Sequence, residues 1–315
     1  MITKEANIRN IDSWKTDSWE SVEFYNNWFI HFAPEAFRTA RKNVLKDVRL
    51  AFERTKDLTY FSTDIIFETP QIMEALRMIT APPLAQDRLT GLAYSKKSLL
   101  KNLEDGKKPK RLDIEATESI KRMLNIISSM IDRDLFPWLE GKKITAQQRL
   151  KSASVVADRL TGALSNPIIR NAQEKRQLDS ISNFLKERNY TYVKKIKSFE
   201  DLKPLSYSFH VNVPVLIGNS QPINMPIDVV IRTAGEDKYP LLLECKSAGD
   251  FTNTNKRRKE EAVKIMQLRE TYGRDISLYL FLCGYFDTGY LGYEAAEGID
   301  WIWEHRIADL EKLGV

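Results

Sequence analysis

Apolar positions change period along this chain, and the change divides it. In FAPEAFRTARKNVLKDVRLAFERT, Phe37, Ala40, Val44, Val48 and Phe52 recur at three- and four-residue spacing. That spacing predicts an amphipathic helix from Phe32, with Pro34 near its start. Pro70 opens a short helical stretch through Met78. After the Pro82-Pro83 break, Leu84, Leu89, Leu92, Leu99, Leu100 and Leu103 continue a helical pattern towards Gly106. Ile120, Leu124, Ile127 and Ile131 predict another helix, and a further one resumes after Thr145. Pro167 marks a boundary, beyond which Leu178, Ile181 and Leu185 share one side of a helix.

From Tyr207 the period shortens to two. YSFHVNVPVLI and INMPIDVVIRT read as strands, and YPLLLECKS as a third, joined to the second by a hairpin turn at Ala234–Asp237. KRRKEEAVKIMQLRETYG reads as a helix and ISLYLFLCGYF as a strand buried on both faces. Ile299 to Leu313, with Trp301 and Trp303, reads as a closing helix. The expected fold class is α/β, a mixed central sheet flanked by helices, with a mostly α-helical N-terminal region. Residues 1–164 form the expected helical region and 165–315 the expected catalytic domain.

Composition narrows the function classes. The 315 residues suit about two domains, and a formal charge of +5 is a mild basic excess. Two cysteines, Cys245 and Cys283, sit inside apolar runs and read as buried thiols. The three histidines are scattered, which argues against a zinc hydrolase. The first ten residues carry no apolar signal core, and apolar runs stay short of a membrane span. A cytoplasmic protein with no membrane partner is the expectation.

The candidate chemistry lies where two of these strands end. Asp228 follows one apolar run, and Glu244 and Lys246 close the next. Neighbouring strands lie about 5 Å apart. Glu244 and Lys246 have the same parity and share a face, while Leu243 and Cys245 look the other way. A central strand ending in charge is costly unless the charges meet a metal, a partner or water. Asp228 and Glu244, with the carbonyl of Cys245, are the expected ligands of Mg2+. Phosphodiester hydrolysis needs charge neutralised, a water activated and a leaving oxygen stabilised. Lys246 suits orienting or deprotonating the water, or stabilising charge on the phosphate. A surface salt bridge accounts for Glu244 and Lys246 taken alone.

Ten residues beyond Lys246, Lys256-Arg257-Arg258-Lys259 opens a helix, where cations oppose the helix dipole. A DNA backbone would favour that arrangement. Thr252, Asn253, Thr254 and Asn255, with Lys256, Arg257 and Arg258, form the candidate DNA contact.

Pro226-Ile227-Asp228 with Glu244-Cys245-Lys246 resembles the PD-(D/E)XK nuclease superfamily, with Ile227 separating the proline from the aspartate. TAPPLAQDRLTGLA from Thr80, ADRLTGALSNPIIRNAQEKRQL from Ala157 and LLLECKSAGDFTNTNKRRKEE from Leu241 resemble XamI-type restriction endonucleases. The resemblance runs over most of the chain. It implies a type II enzyme that cuts double-stranded DNA at a short palindrome with magnesium, as a homodimer. The family is associated with GTCGAC. The superfamily often places an acid on the helix before the core strands, where Glu174 stands. Gln267, on the helix after Lys246, suits a hydrogen bond to a phosphate or to a water held by the metal. A repair or recombination nuclease, and a non-catalytic DNA-binding protein, are the competing readings.

Overall fold

A computed structural model describes residues 4–109, 113–216, 222–252 and 254–315, with backbone alone over 254–258. Two compact units emerge. One joins Met1–Phe32 to Arg170–Val315, and the other is Ala33–Ile169.

The helical unit is built on α2 (Thr63–Glu68), α3 (Ile72–Met78), α4 (Gln86–Leu92), α5 (Lys97–Glu104) and α6 (Ile114–Ser129). Parts of two long helices complete it, α1 (Trp14–Arg54) and α7 (Ala146–Glu187). The apolar stripe read from α1 is the buried one: Val44, Val48 and Phe52 enter a core with Leu76, Leu89, Ile120, Ile127 and Leu160. The residues expected to run as one helix from Leu84 to Gly106 form two, because Tyr94 takes a left-handed φ of 48° between α4 and α5. Arg159 ties α7 to the end of α3 and to the loop after α6, donating to the carbonyl of Met78 at 3.2 Å and pairing with Asp132 at 2.7 Å.

The boundaries expected at Phe32 and Pro167 are not helix ends. α1 and α7 each run unbroken with a proline inside, Pro34 and Pro167. A helix long enough to be packed on either side of a proline tolerates the one lost hydrogen bond.

The other unit holds the sheet. Among the described residues its strands are β1 (Thr191–Tyr192), β2 (Ser206–Val215), β3 (Ile223–Arg232), β4 (Leu241–Ala248), β5 (Leu278–Gly284) and β6 (Asp300–Trp303), in that spatial order. β2, β3 and β4 are antiparallel neighbours. β4, β5 and β6 run parallel through the crossover helices α8 (Thr254–Tyr272) and α9 (Thr288–Ala296). This is the mixed sheet the alternation implied. One correction concerns Trp301 and Trp303, which lie in β6 and not in a helix; only Glu304–Leu313 beyond them coils, as 3-10 turns.

Each sheet face has its own core. Leu242, Leu280 and Trp301 pack with Ile265 and Leu268 of α8 and Leu291 of α9. Leu241, Leu243 and Phe281 pack on the opposite face with Ile181, Phe184 and Leu185 of α7. The first residues of the chain are stitched to this unit. The Asp300 carboxylate accepts from the backbone of Asn7 at 3.0 Å and Ile8 at 2.9 Å, and Arg306 pairs with Asp17 at 2.6 Å. Gly284 has φ 96°, and a Cβ there would lie 2.1 Å from the Ala248 carbonyl oxygen, so only glycine fits where β5 leaves β4.

Among the described residues, no helix is long and apolar enough to cross a membrane.

Candidate active site

The site begins with an irregularity in β2. Pairing of β2 with β3 runs in one register from Ser206↔Arg232 to Val215↔Ile223, omitting His210, which stands opposite Asp228. His210 has a left-handed φ of 53°. Tyr207 and Phe209 pack on the α7 face of the sheet, whereas Val211 and Val213 pack on the α8 face. In an unbroken strand 209 and 211 would share a face. The kink reverses them without inserting a residue, since the register is the same on both sides. β3 follows, with Ile227 on the α8 face and Val229 on the other. Asp228 sits at that reversal.

The β3–β4 ladder pairs Val229 with Leu243. One step on, the Asp228 carboxylate accepts from the Cys245 backbone N–H at 2.8 Å. That bond holds Asp228 against the strand that carries Glu244 and Lys246. Leu242 and Ala248, of the same parity, belong to the α8-side core, so Glu244 and Lys246 look towards α8. The Cys245 side chain packs with the α7-side core, where burial pushes its thiol well up. Its carbonyl is therefore what Cys245 can offer a metal.

α8 answers with an acid and a base that the sequence reading did not select. Lys264 donates to Glu244 and to the Pro226 carbonyl, the latter at 3.2 Å. The Lys246 ammonium lies 3.5 Å from Glu244 Oε2 and 3.1 Å from Glu261 Oε1. Glu244 and Glu261 are almost fully buried. Burial raises both carboxyls, the charge of Asp228 raises Glu244 further, and the lysines oppose the rise. Burial works to lower Lys246, but Glu244 and Glu261 outweigh it and hold the ammonium above its ordinary value. α9 adds a further layer. Tyr290 donates to Glu261 Oε2 at 3.1 Å, and buried Glu294 is pushed up to about 8 by burial and by Glu261. Glu261 could have been found from its helical spacing to Ile265 and Leu268. It is masked in sequence by the charged run KRRKEE.

The remaining candidates divide. Glu174 is exposed on α7, 3.8 Å from His210, which faces Asp228 across the β2–β3 pair. Gln267 is half-buried on α8, three residues past Lys264, and its backbone carbonyl accepts from Thr271 at 2.8 Å. Among the described residues, its side chain makes no hydrogen bond to Asp228, Glu244 or Lys246. Thr252 is exposed and folded onto Asp250, its backbone N–H donating at 2.8 Å. Asn253 lies outside the described residues. Thr254, Asn255, Lys256, Arg257 and Arg258 have backbone at the start of α8, and their side chains lie outside the described residues.

Contrary to the expectation that the strands end there, Asp228, Glu244 and Lys246 lie within β3 and β4, just beyond the last β3–β4 pair, Val229↔Leu243. Two carboxylates and a lysine meet there as metal-assisted hydrolysis requires. The sequence pattern of the XamI restriction endonuclease family matches residues 56–303, a span that includes β3 and β4. The chain belongs to this family of restriction endonucleases, and is thus a site-specific deoxyribonuclease. It is 48% identical over 309 residues to the type II restriction enzyme SalI of Streptomyces albus G, an alignment covering 96% of this chain and 97% of that protein.

Proposed function

We propose that the chain is a type II restriction endonuclease that uses Mg2+ to hydrolyse both strands of duplex DNA at a short palindromic site, acting as a homodimer. The observation that carries the chemistry is the placement of Asp228 beside Glu244 and Lys246 by the Cys245 N–H bond. The likeness to a type II enzyme over nearly the whole chain supports the class.

The residues fit a hard divalent ion. Asp228 and Glu244 offer carboxylate oxygens, and Cys245 a backbone carbonyl, the donor types magnesium prefers. Burial and the neighbouring charge of Asp228 disfavour an ionised Glu244, so a cation in that position is favoured. Lys264 supplies one such cation on Glu244. Magnesium would neutralise phosphate charge and acidify the attacking water.

The chain's own groups do the rest. Lys246, paired with two carboxylates, is a positive charge directed at the phosphate, where it stabilises the charge that develops as water oxygen bonds to phosphorus. The attacking water gives up a proton to solvent, the P–O bond to the leaving sugar oxygen breaks, and that oxygen takes up a proton from solvent. Glu174, reached through His210, is the further acid of the site, and Gln267 a phosphate contact. Thr252 to Arg258 hold the backbone and base edges. The helical unit adds duplex contact, dimer surface or support.

Digestion of a plasmid carrying one GTCGAC site, with and without magnesium, followed by end sequencing, tests the reading. Discrete ends at one palindrome, only with the metal, are expected. A smear, a preference for branched DNA, or no cleavage with any divalent ion contradicts it. Light scattering of the eluted protein should give the mass of two chains.

A further inference from the structure

Lys246 has a flexible four-carbon stem, and its position depends on what holds the ammonium. The nearer of its two carboxylate partners is Glu261, at 3.1 Å against 3.5 Å for Glu244. Glu261 is wholly buried on α8. A carboxylate there stays ionised only if paired, and its two oxygens divide the work. Oε1 takes the lysine and Oε2 takes the Tyr290 hydroxyl. Behind them lies Glu294, whose two oxygens complete no hydrogen bond among the described residues. Burial and Glu261 push its carboxyl up to about 8, which favours its neutral form. The order from the site inward is therefore Lys246, Glu261, Tyr290, Glu294.

We propose that Glu261, fixed by Tyr290, is a positioning residue that draws Lys246 away from Glu244. Without Glu261 the ammonium has Glu244 as its remaining carboxylate partner. It would then settle on an oxygen that the metal requires, as Lys264 does on the other. Glu261 thus holds the ammonium on the α8 side and leaves Oε2 of Glu244 to the metal. This rests on the roles given above to Glu244 and Lys246.

The test compares the parent with Glu261→Gln, Tyr290→Phe, Lys246→Ala and the double variant E261Q/K246A. Three quantities are read: magnesium affinity by calorimetry without DNA, single-turnover cleavage at saturating magnesium, and duplex binding without metal. E261Q should weaken magnesium binding and slow cleavage by about 10–100-fold each, with duplex binding kept. Y290F should move both the same way by less. K246A should bind magnesium at least as well as the parent. The double variant should match K246A in both, because Glu261 acts through the lysine.

Parental affinity and rate in E261Q overturn the proposal, as do losses that multiply in the double variant. If E261Q no longer binds duplex, Y290F decides, and parental affinity and rate there count against it. A slow K246A beside a fast E261Q contradicts this proposal alone. A K246A protein cutting at the parental rate contradicts the role of Lys246 itself.

Discussion

Both units bury charge, and they do so differently. In the helical unit, Arg77 pairs with Glu104 and also reaches the Leu84 carbonyl, while Gln86 takes the other oxygen of Glu104. Arg159 pairs with Asp132 and two carbonyls. Both of these cations are matched to acceptors that lock loops to helices, although Glu74 also shares Arg77 and is raised to about 7 by burial and by Glu104. In the sheet unit, three buried acids, Glu244, Glu261 and Glu294, crowd around two lysines, Lys246 and Lys264. Matched pairs serve architecture, because breaking one exposes an uncompensated buried charge. A surplus of buried carboxylates is destabilising alone and is explained by a cation or substrate that completes it.

The comparison can be broken most decisively at the acids. Asp228→Ala or Glu244→Ala should lower single-turnover cleavage at least about a thousandfold while duplex binding persists. Either variant cutting within threefold of the parent, at saturating magnesium, would remove the site from β3 and β4. Lys246→Ala should cost at least about a hundredfold in rate, again with binding intact.

On the helical side the signs should reverse. Arg159→Ala, losing a partly buried pair and two carbonyl contacts, should cost about 2 kcal/mol of stability in a urea melt. Its folded fraction should cut at the parental rate. A slowed rate without lost stability would give the helical unit a part in the chemistry.

Glu294 sharpens the comparison through pH. Its carboxyl is raised from 4.5 to about 8 in the folded chain. Between those values the folded state holds a proton that the unfolded state has released. The stability from this group is complete below about 4.5 and is lost as pH climbs towards 8. Glu294→Gln should flatten that decline, a difference on the order of 3 kcal/mol between pH 5.5 and pH 8. Melts at pH 5.5 and pH 8 that lose equal stability in both proteins would show that Glu294 ionises normally.

The smallest expected effect is electrostatic. Arg257→Ala and Arg258→Ala should each flatten the salt dependence of duplex binding, by about one unit of log-log slope per lost phosphate contact. Unchanged slopes in both would place the cluster away from DNA.

Much of this could be read from the chain because strands betray their period. β2 to β5 alternate or run apolar, and Asp228, Glu244 and Lys246 interrupt them where a buried strand should not carry charge. The layer behind was hidden for physical reasons. Glu261 lies among exposed charges, so composition disguises a buried position that only the helical period to Ile265 and Leu268 gives away. α9 carries Gly289 and Gly292, which favour loops when read locally, yet Asp287 caps it by accepting from the Tyr290 N–H at 2.7 Å. The helix so started delivers Tyr290 and Glu294. The kink at His210 had no signal, since its left-handed backbone is set by the strands around it. Pro34 and Pro167 suggested ends where tertiary packing carries the helices through. The docking of Asn7 and Ile8 on Asp300 joins residues nearly three hundred positions apart, beyond the reach of any local pattern.

The central claim is that a divalent ion is held between β3 and β4 where their pairing stops. Replacing magnesium with Fe2+ and adding ascorbate and peroxide generates radicals at the metal, which cut the nearest polypeptide. Fragment masses should place the cuts beside Asp228 and beside Glu244 to Lys246, and Asp228→Ala should abolish them. Cuts confined to the helical unit, or a pattern unchanged in the Asp228 variant, would contradict the account.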